Sequence, residues 1–328
     1  MATIKDVARK AGVGVGTVSR VLNGTGPVSP ETRRAVLAAV EALGYMPSTT
    51  ARAMVTKRTQ TVGVLLPDIQ NPFFPMVARG VEDACRQAGY TVILLSTDWD
   101  RERELSAAAL LRRQGADGAV LVSVGDAAGV HAILGARGAP VVVVDRAAPG
   151  LAVSQLSVDH YRGEYEAVRW VRSRGHRRVG FLAGPAGVDS AELRLQAFLD
   201  AMEWDPADPG LPVARAGYGF EGGQRAAAEL LDRFPDLTCL VAANDLSALG
   251  ALSWLARQGR RVPDDIGVVG FDDILLASLV HPALTTVRQP AYAMGYRAAE
   301  LLLQALKDPG RGPVQETLRP ELVIRDSC

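Results

Sequence analysis

Polar and charged side chains follow the short apolar runs of this 328-residue sequence, where buried strands would end. Carboxylates can chelate paired hydroxyls, amides and arginines can donate to ring and hydroxyl oxygens, and aromatic rings can cover C–H faces. These residue types together indicate a pocket for a polyhydroxylated ligand such as a carbohydrate. The residues at these positions are Asp68, Asn71, Phe73, Phe74, Ser123, Asp145, Arg146, Asn244, Asp245, Asp272 and Asp273, with Tyr218 in a loop of the second half.

A second kind of chemistry is carried by the stretch TIKDVARKAGVGVGTVSRVLN, from Thr3 to Asn23. Its periodicity predicts two short helices joined by a glycine turn. The outer face of the second helix carries small, hydrogen-bonding and cationic side chains and no carboxylate, which suits a helix in the major groove of DNA. The pattern alone leaves open an ordinary helical hairpin with a solvated outer face. The outer residues are Gly16, Ser19, Arg20 and Asn23, and the inner ones are Val18, Val21 and Leu22.

Local signals predict where the first helices begin and end. Thr3 can cap the first helix, with Asp6 at its third position, and Gly12 can end it in the left-handed conformation. Ser29 and Pro30 predict the start of a third helix that ends at Gly44. The apolar face of that helix is expected to contain Val36, Leu37, Val40 and Leu43.

The net charge of zero hides a cancellation between two parts of the chain. Residues 1–58 contain nine Lys and Arg and three Asp and Glu, a net charge of +6, so the remainder carries −6. A basic head on an acidic body indicates one nucleic-acid module and one module with another task.

From residue 61 onward, continuous apolar runs alternate with amphipathic stretches. Fully apolar strands between helices predict parallel sheets that are covered on both faces. Because this alternation of apolar runs and amphipathic stretches begins again near residue 161, we expect two α/β lobes with a cleft between them. The runs are residues 62–66, 91–95, 118–122, 140–144, 178–183, 239–243 and 266–271, and the main helical stretches are 73–89, 101–114, 161–175, 189–203 and 245–259.

Several classes of protein find no support in the sequence. Cys85, Cys239 and Cys328 are unclustered, so neither a disulfide framework nor a metal site is expected, and they fit a reducing cytoplasm. We see no secretory signal and no apolar segment long enough for a bilayer. The motifs GxSxG, HExxH and the P-loop are absent, so we expect no enzyme and no cofactor. His176 is expected to bond the backbone where a helix meets a strand.

Fragments in a fixed order resemble LacI-type transcriptional regulators along essentially the whole chain. They include TIKDVARKAGV, VGTVSRVLN, LPDIQNPFF, GHRRVGFLAGP, VAANDLSALGAL and VPDDIGVVGFDD. The body of that family also resembles periplasmic sugar-binding proteins, with two lobes joined by three crossing strands. The resemblance implies a homodimer that binds a palindromic double-stranded DNA operator and responds to a small effector in the cleft. A solute-binding protein without a regulatory role is the nearer rival by fold, although it would not need the basic head.

The resemblance places DNA contacts on the head and on a hinge. Arg20 can bond O6 and N7 of a guanine, whereas Ser19 and Asn23 suit phosphates. The family usually has serine or another small polar residue where this chain has Gly14 and Gly16. In the hinge, Met54 stands where the family inserts a leucine into the minor groove, although packing between two hinge helices is an alternative. The expected DNA-binding residues are Thr3, Val15, Gly16, Thr17, Ser19, Arg20, Asn23, Ala51, Arg52 and Met54.

The resemblance also assigns effector contacts, and ribose-binding relatives suggest a pentose or similar monosaccharide. A nucleoside or purine-type effector remains the alternative. Asp145 and Asp272 could instead cap following helices, Arg194 could be a solvated surface charge, and one of Phe73 and Phe74 could be plain core. The expected contacts are Asn71, Phe73, Phe74, Ser123, Asp145, Arg146, Ser190, Arg194, Tyr218, Asn244, Asp272 and Gln289.

These arguments together predict an all-α helix-turn-helix head on a two-lobed α/β body. The expected domains are a DNA-binding head over residues 1–46, a hinge helix and linker over 47–60, and an effector-binding and dimerisation body over 61–328. Lobe 1 is expected to cover about 61–158 and 290–318, and lobe 2 about 159–289 and 319–328.

Overall fold

The computed structural model describes residues 2–24, 26–45, 58–123, 125–146, 148, 150–204 and 210–328. The chain divides into two compact units, Met1–Thr59 and Gln60–Cys328. The expected hinge, with Ala51, Arg52 and Met54, lies outside the described residues.

The first unit contains three helices, α1 (Ile4–Ala11), α2 (Val15–Asn23) and α3 (Pro30–Leu43). Thr3 and Asp6 form the predicted capping box, and Ser29 accepts a hydrogen bond from the Thr32 amide at the start of α3. Gly12, Gly24 and Gly44 end the three helices with φ angles of 67°, 64° and 57°, in the region that glycine adopts without a Cβ clash. The ends of these helices are therefore encoded locally.

The small core of this unit contains Val7 and Ala8 of α1, Val18 and Val21 of α2, and Val36 and Ala39 of α3. The expected burial of Leu37 is wrong, because its exposed fraction is 49%. Ala39 faces the core instead, since residues 36, 39, 40 and 43 follow the helical period more closely than residue 37 does.

The second unit contains two six-stranded sheets with helices on both faces. Helices and strands alternate through it: β1 (Thr61–Leu66), α4 (Phe73–Gln87), β2 (Thr91–Ser96), α5 (Arg101–Gln114), β3 (Gly118–Leu121), α6 (Ala127–Gly135), β4 (Val141–Val144), β5 (Ser154–Val158), α7 (His160–Ser173), β6 (Val179–Ala183), α8 (Asp189–Met202), β7 (Val213–Arg215), α9 (Phe220–Arg233), β8 (Cys239–Ala242), α10 (Asp245–Arg257), β9 (Gly267–Asp272), α11 (Leu275–Leu279), β10 (Thr285–Arg288), α12 (Ala291–Lys307), β11 (Gln315–Leu318) and β12 (Glu321–Val323).

The strand orders explain how the lobes form. The first sheet runs β11-β5-β4-β3-β1-β2 and the second runs β12-β10-β9-β8-β6-β7. The pairs are parallel except for β10 with β12. The chain passes between the sheets three times, after β5, after β10 and after β11, so each lobe is completed by a distant segment. The predicted fold class, with its doubled α/β rhythm, is confirmed.

No helix among the described residues is long and apolar enough to cross a lipid bilayer.

Candidate functional site

Helix α2 presents the predicted polar face to solvent. Val18 and Val21 are buried against α1 and α3, which leaves Val15, Gly16 and Arg20 exposed and Thr17 and Ser19 half-buried. Gly14 starts the helix without a side-chain cap, as the sequence predicts for a residue that has no capping oxygen. The expected contact Thr3 is exposed, and its hydroxyl lies 2.7 Å from the Asp6 carboxylate within the capping box.

Ten of the twelve expected effector residues line one pocket between the two lobes of the second unit. Lobe 1 supplies residues that follow β1, β2 and β4, and lobe 2 supplies residues from α8, from the last position of β9 and from the loops after β7, β8 and β10. This arrangement arises because the carboxyl ends of parallel strands meet at one edge of each sheet. The lining consists of Asn71, Phe73, Phe74, Trp99, Asp145, Ser190, Arg194, Tyr218, Asn244, Asp272 and Gln289.

The two other expected residues lie beside this lining. The Ser123 hydroxyl lies 3.3 Å from the Glu104 carboxylate and accepts a hydrogen bond from the Gly125 amide. The Arg146 guanidinium lies over the Trp99 ring, 5.1 Å from its centroid. Arg146 therefore reaches the pocket through Trp99, whereas Ser123 serves the turn after β3.

Trp99 and His160 belong to this site, although neither was among the expected residues. Trp99 follows β2, so the strand-end rule that selected the other residues would also have found it. Its ring lies 5.4 Å from that of Tyr218, which joins lobe 1 to lobe 2 across the cleft. His160 carried no sequence signal, because its partners lie at positions 145 and 194.

Arg194 is a buried cation and not a surface charge. Its exposed fraction is 3%, and its guanidinium donates to the Ala243 carbonyl and to His160 Nδ1. Because a guanidinium can only donate, His160 Nδ1 must accept, and the ring proton lies on Nε2. That nitrogen lies 3.1 Å from the Asp145 carbonyl oxygen and 3.3 Å from Oδ1 of the same residue. Arg194 also stacks on Phe271, at 3.8 Å from the ring centroid.

The carboxyl groups of Asp145 and Asp272 point into the pocket and cap no helix. After Asp145 the chain runs on to strand β5, and α11 begins with Ile274 as its N-cap and no side-chain cap. Asp145 and Asp272 have φ angles of 71° and 125°, and Trp99 has 60°. Non-glycine residues with positive φ are strained, and such strain concentrates at functional sites.

Different surroundings separate the pKa values of these two acids. Burial raises the pKa of Asp145, but its hydrogen bond with His160 and the charges of Arg194 and Arg146 outweigh burial and lower it below the usual range. Burial raises the pKa of Asp272 to about 7, against the opposing effects of Arg194 and of the Gln289 amide, which donates at 2.6 Å. The site thus pairs an anionic acceptor with a carboxyl that gains a proton near neutral pH.

Polar atoms without partners collect around the pocket. Among the described residues, buried side-chain atoms that lack a hydrogen bond include Gln289 Oε1, Arg194 Nε and Arg146 Nε, and Asp145 Oδ1 has only the 3.3 Å contact with His160 Nε2. Buried polar groups are normally satisfied in native proteins, so these atoms mark positions where a polar ligand or water would bond. The free space between them is about 20 Å³, enough for one water molecule. A ligand therefore requires the two lobes, or the side chains between them, to move apart.

Glu164, in α7, is a buried acid whose pKa is influenced by Arg194 of the pocket. Only 1% of the residue is exposed, and both carboxylate oxygens lack partners. Burial raises its pKa to about 8, although Arg194 opposes the shift. The folded unit therefore holds this proton more tightly than the unfolded chain does. The stabilisation is complete below the unfolded pKa and is lost as pH rises through about 8.

We expect Glu164→Gln to flatten the decline in stability between pH 5 and pH 9. At pH 9 the variant should be more stable than the parent by at most roughly 3–5 kcal/mol, the free energy that corresponds to a shift of this size. Urea unfolding across that pH range measures the effect. Glu166→Gln, on the same helix but exposed, is the matched control, and an equal effect of both substitutions would contradict the prediction.

Comparisons with known proteins agree with this architecture. Residues 3–48 match the family described as bacterial regulatory proteins, lacI family, and residues 168–328 match a periplasmic binding protein-like domain. The chain is 36% identical to the ribose operon repressor of Bacillus subtilis over 97% of its own length and 94% of the relative's.

Two solved structures extend the comparison. One is the transcriptional regulator CelR–cellobiose complex, 33% identical, with a TM-score of 0.75 and full coverage of both chains. The other is the Lac repressor dimer bound to operator and an anti-inducer, 27% identical, with a TM-score of 0.86 and coverage of 99% and 98%. The chain belongs to the LacI family of bacterial transcriptional regulators, which are not enzymes.

Proposed function

We propose that the chain is a homodimeric repressor whose affinity for a palindromic operator is controlled by a single sugar ring, a pentose or similar monosaccharide, bound between the lobes. The observation that carries this proposal is the cluster of polar groups around Asp145, Arg194 and Gln289, in which Arg194 Nε and Gln289 Oε1 have no hydrogen-bond partner. Their acceptors and donors complement paired hydroxyls, and Phe73, Phe74 and Trp99 offer faces for C–H groups.

The narrowness of the pocket supports a monosaccharide over a disaccharide. The relative from Bacillus subtilis is named for the ribose operon, whereas the CelR structure contains cellobiose. Trp99 and Tyr218 close the cleft with their rings 5.4 Å apart, which leaves little room beside a first ring for a second one. A nucleoside is the second candidate, because the rings of Phe74, Trp99 and Tyr218 follow one another at 5.9 and 5.4 Å and could stack on a base.

Two exposed apolar patches on the second unit support dimerisation. Ile69, Met76 and Leu94 lie near the edge strand β2 and helix α4, and Leu275 and Leu279 project from α11. Leu275 is 70% exposed, which is unusual for a leucine unless another surface covers it. The Lac repressor structure, a dimer on its operator, supports the same assembly here.

The proposed control is a coupling between the cleft and the operator site. A ligand that changes the separation of the lobes changes the spacing of two heads in a dimer, and it therefore binds one spacing better than the other. If the sugar favours a spacing of the two heads that fits the operator, it strengthens operator binding. If it favours another spacing, it releases the operator.

The test combines a thermal-shift screen with a mobility-shift assay on the full-length protein. Ribose, other monosaccharides, cellobiose and nucleosides are screened for a rise in the unfolding temperature. The hit is then added to the complex with DNA from upstream of the protein's own transcription unit. A retarded band that the hit weakens or strengthens supports the proposal. No retardation refutes the DNA-binding role, and a shift with cellobiose or nucleosides alone refutes the monosaccharide.

Arg20→Ala is expected to lower operator affinity by roughly 1–3 kcal/mol and to relax preference at one base pair, because it removes a bidentate guanine contact. Titration of operator variants at fixed salt measures the change. Arg33→Ala, an exposed cation on α3 that was not among the expected DNA contacts, is the control for the loss of one positive charge. An equal loss at both positions would mean that Arg20 contributes only charge.

Met54→Ala is expected to weaken operator binding by about tenfold, because a methyl group cannot wedge between base pairs as a methionine can. Titration of the full-length variant against the operator measures this change. The effector affinity of the same variant should match that of the parent. Unchanged operator affinity would exclude the wedge role.

A further inference from the structure

Two of the three cysteines lie side by side in the second lobe. Cys239 begins β8 and Cys328 follows β12, and although 89 positions separate them in sequence their Sγ atoms are 3.8 Å apart. The spacing of the cysteines in sequence carries no sign of this pair, because the fold alone brings the two residues together. Cys85 is buried on α4 in the other lobe and provides an internal reference.

The fold builds a space for both sulfur atoms. A Cβ on Gly267 would lie 3.0 Å from the Cys328 Sγ and 3.4 Å from the Cys239 Sγ, so a larger residue would press on both sulfur atoms. Ser327 fixes the neighbouring backbone, since its hydroxyl accepts from the Thr285 amide at 2.9 Å and donates to the Val268 carbonyl at 2.6 Å. A disulfide, with an S–S length of about 2.05 Å, requires the sulfur atoms to approach from their present separation of 3.8 Å.

A histidine makes one of the two sulfur atoms more reactive. His176 Nε2 lies 3.8 Å from the Cys328 Sγ, and its Nδ1 pairs with the Thr238 hydroxyl at 3.0 Å. His176 thus contacts two side chains, and the expected backbone bond is wrong. The hydrogen bond from Cys239, with His176 and Arg174 nearby, outweighs partial burial and lowers the pKa of the Cys328 thiol to about 5.

Cys239 differs from its neighbour in burial and in charge. It is fully buried, and its hydrogen bond with Cys328 together with burial raises the pKa of its thiol well above the usual range. Cys328 is half-buried. A partly exposed thiolate beside a protonated thiol is the arrangement of an attacking and a resolving cysteine. A metal site is not favoured, because the described part of the chain contains no group of three ligands suited to a metal ion.

We propose that Cys328 and Cys239 form a reversible disulfide when the protein meets a hydroperoxide. The Cys328 thiolate attacks the terminal peroxide oxygen, the O–O bond breaks, and the released alkoxide or hydroxide takes up a proton, which leaves a sulfenic acid on Cys328. The Cys239 sulfur then attacks that sulfur, the S–O bond breaks, and water leaves with the Cys239 proton. Two thiols and one hydroperoxide give one disulfide, one alcohol or water, and one water.

The disulfide ties the segment after β12 to the first residue of β8. These residues lie at the opposite end of the second sheet from Asn244, which follows β8 and lines the pocket. The bond closes a long loop that passes through both lobes, since β11 of the first sheet lies between the two cysteines in sequence, so oxidation should raise the unfolding temperature of this unit.

The experiment treats the full-length protein with hydrogen peroxide and counts free thiols after denaturation. The parent should fall from three thiols to one, recover three with dithiothreitol, and show a Cys239–Cys328 cross-link within one chain by peptide mass mapping. Cys85→Ser should lose both of its remaining thiols at the parental rate. Cys239→Ser should accumulate a sulfenic acid on Cys328 that dimedone traps, and Cys328→Ser should slow the oxidation of Cys239 by ~10-fold or more.

The His176→Gln variant tests the effect of His176 on the reactivity of the Cys328 thiol while the two cysteines stay close together. It should shift the alkylation profile of Cys328 toward higher pH and slow disulfide formation, without changing which residues are joined. Three outcomes would overturn the proposal: oxidation of Cys85 as fast as Cys328, a cross-link between two chains on a non-reducing gel, or a Cys328 that stays reduced while the peroxide is consumed elsewhere.

Discussion

Arg194→Ala is expected to abolish effector binding while operator binding persists. Arg194 is the buried cation among Asp145, Asp272 and Glu164, and it positions His160. Its removal leaves Asp272 and Glu164 without their nearby cation, leaves Asp145 with Arg146 alone, and deletes a donor from the pocket. We expect a loss of at least about 100-fold in effector affinity, or roughly 3 kcal/mol. Calorimetric titration with the effector identified by thermal shift measures the loss.

Two further variants separate binding from folding. Arg194→Lys keeps the charge but loses the planar fork, so it should retain the fold and still bind the effector weakly. Arg162→Ala, an exposed arginine on α7, should behave as the parent. An unchanged calorimetric signal for Arg194→Ala would refute the assignment, and the retarded band of each variant with operator DNA reports whether the head is intact.

Gly295→Ala is expected to destabilise the second unit by about 2–4 kcal/mol. Gly295 on α12 packs against the backbone of α4, and a Cβ there would overlap the Val77 carbonyl group. A Cβ on Gly80 of α4 would likewise overlap the Tyr292 carbonyl group of α12. The two helices therefore lie in backbone contact. Because Phe73 and Phe74 begin α4, a displaced helix should weaken effector binding as well as stability.

Gly135→Ala is the matched control for this prediction. Gly135 ends α6, and a Cβ there would make only ordinary contacts with His131, at 3.5 Å and beyond. Alanine should therefore be neutral or stabilising by up to about 1 kcal/mol. Denaturant unfolding of both variants measures the difference, and similar midpoints would show that α4 and α12 can separate without cost.

Features that depend on a few neighbouring residues could be predicted from the sequence. The capping box at Thr3, the glycine ends of the first three helices and the helix Arg101–Gln114 follow from side chains that act within one or two turns. The apolar runs predicted the central strands, and the position after each strand predicted most of the pocket lining, because parallel sheets align their carboxyl ends.

The features that were predicted wrongly or not predicted have a different cause. Leu37 is placed on the buried face by its apolar side chain, but the core side of α3 is centred on Val36 and Val40, so position 37 lies at its margin and Ala39 is covered instead. Short edge strands such as β7 and β12 contain too few apolar residues to be predicted from the sequence. Periodicity therefore finds an element more reliably than it finds the limits of its packed face.

The sequence by itself determined the class of the protein, from a basic helix-turn-helix head and a doubled α/β body to the set of polar residues at strand ends. Only the tertiary structure decided that Arg194 is buried beside His160, that Trp99 closes the pocket on Tyr218, and that Cys239 meets Cys328 above Gly267. The physical reason is the separation in sequence over which each kind of interaction acts. Caps and periodicity act between neighbours in sequence, whereas these contacts join distant segments through strand order and the three crossings between the lobes.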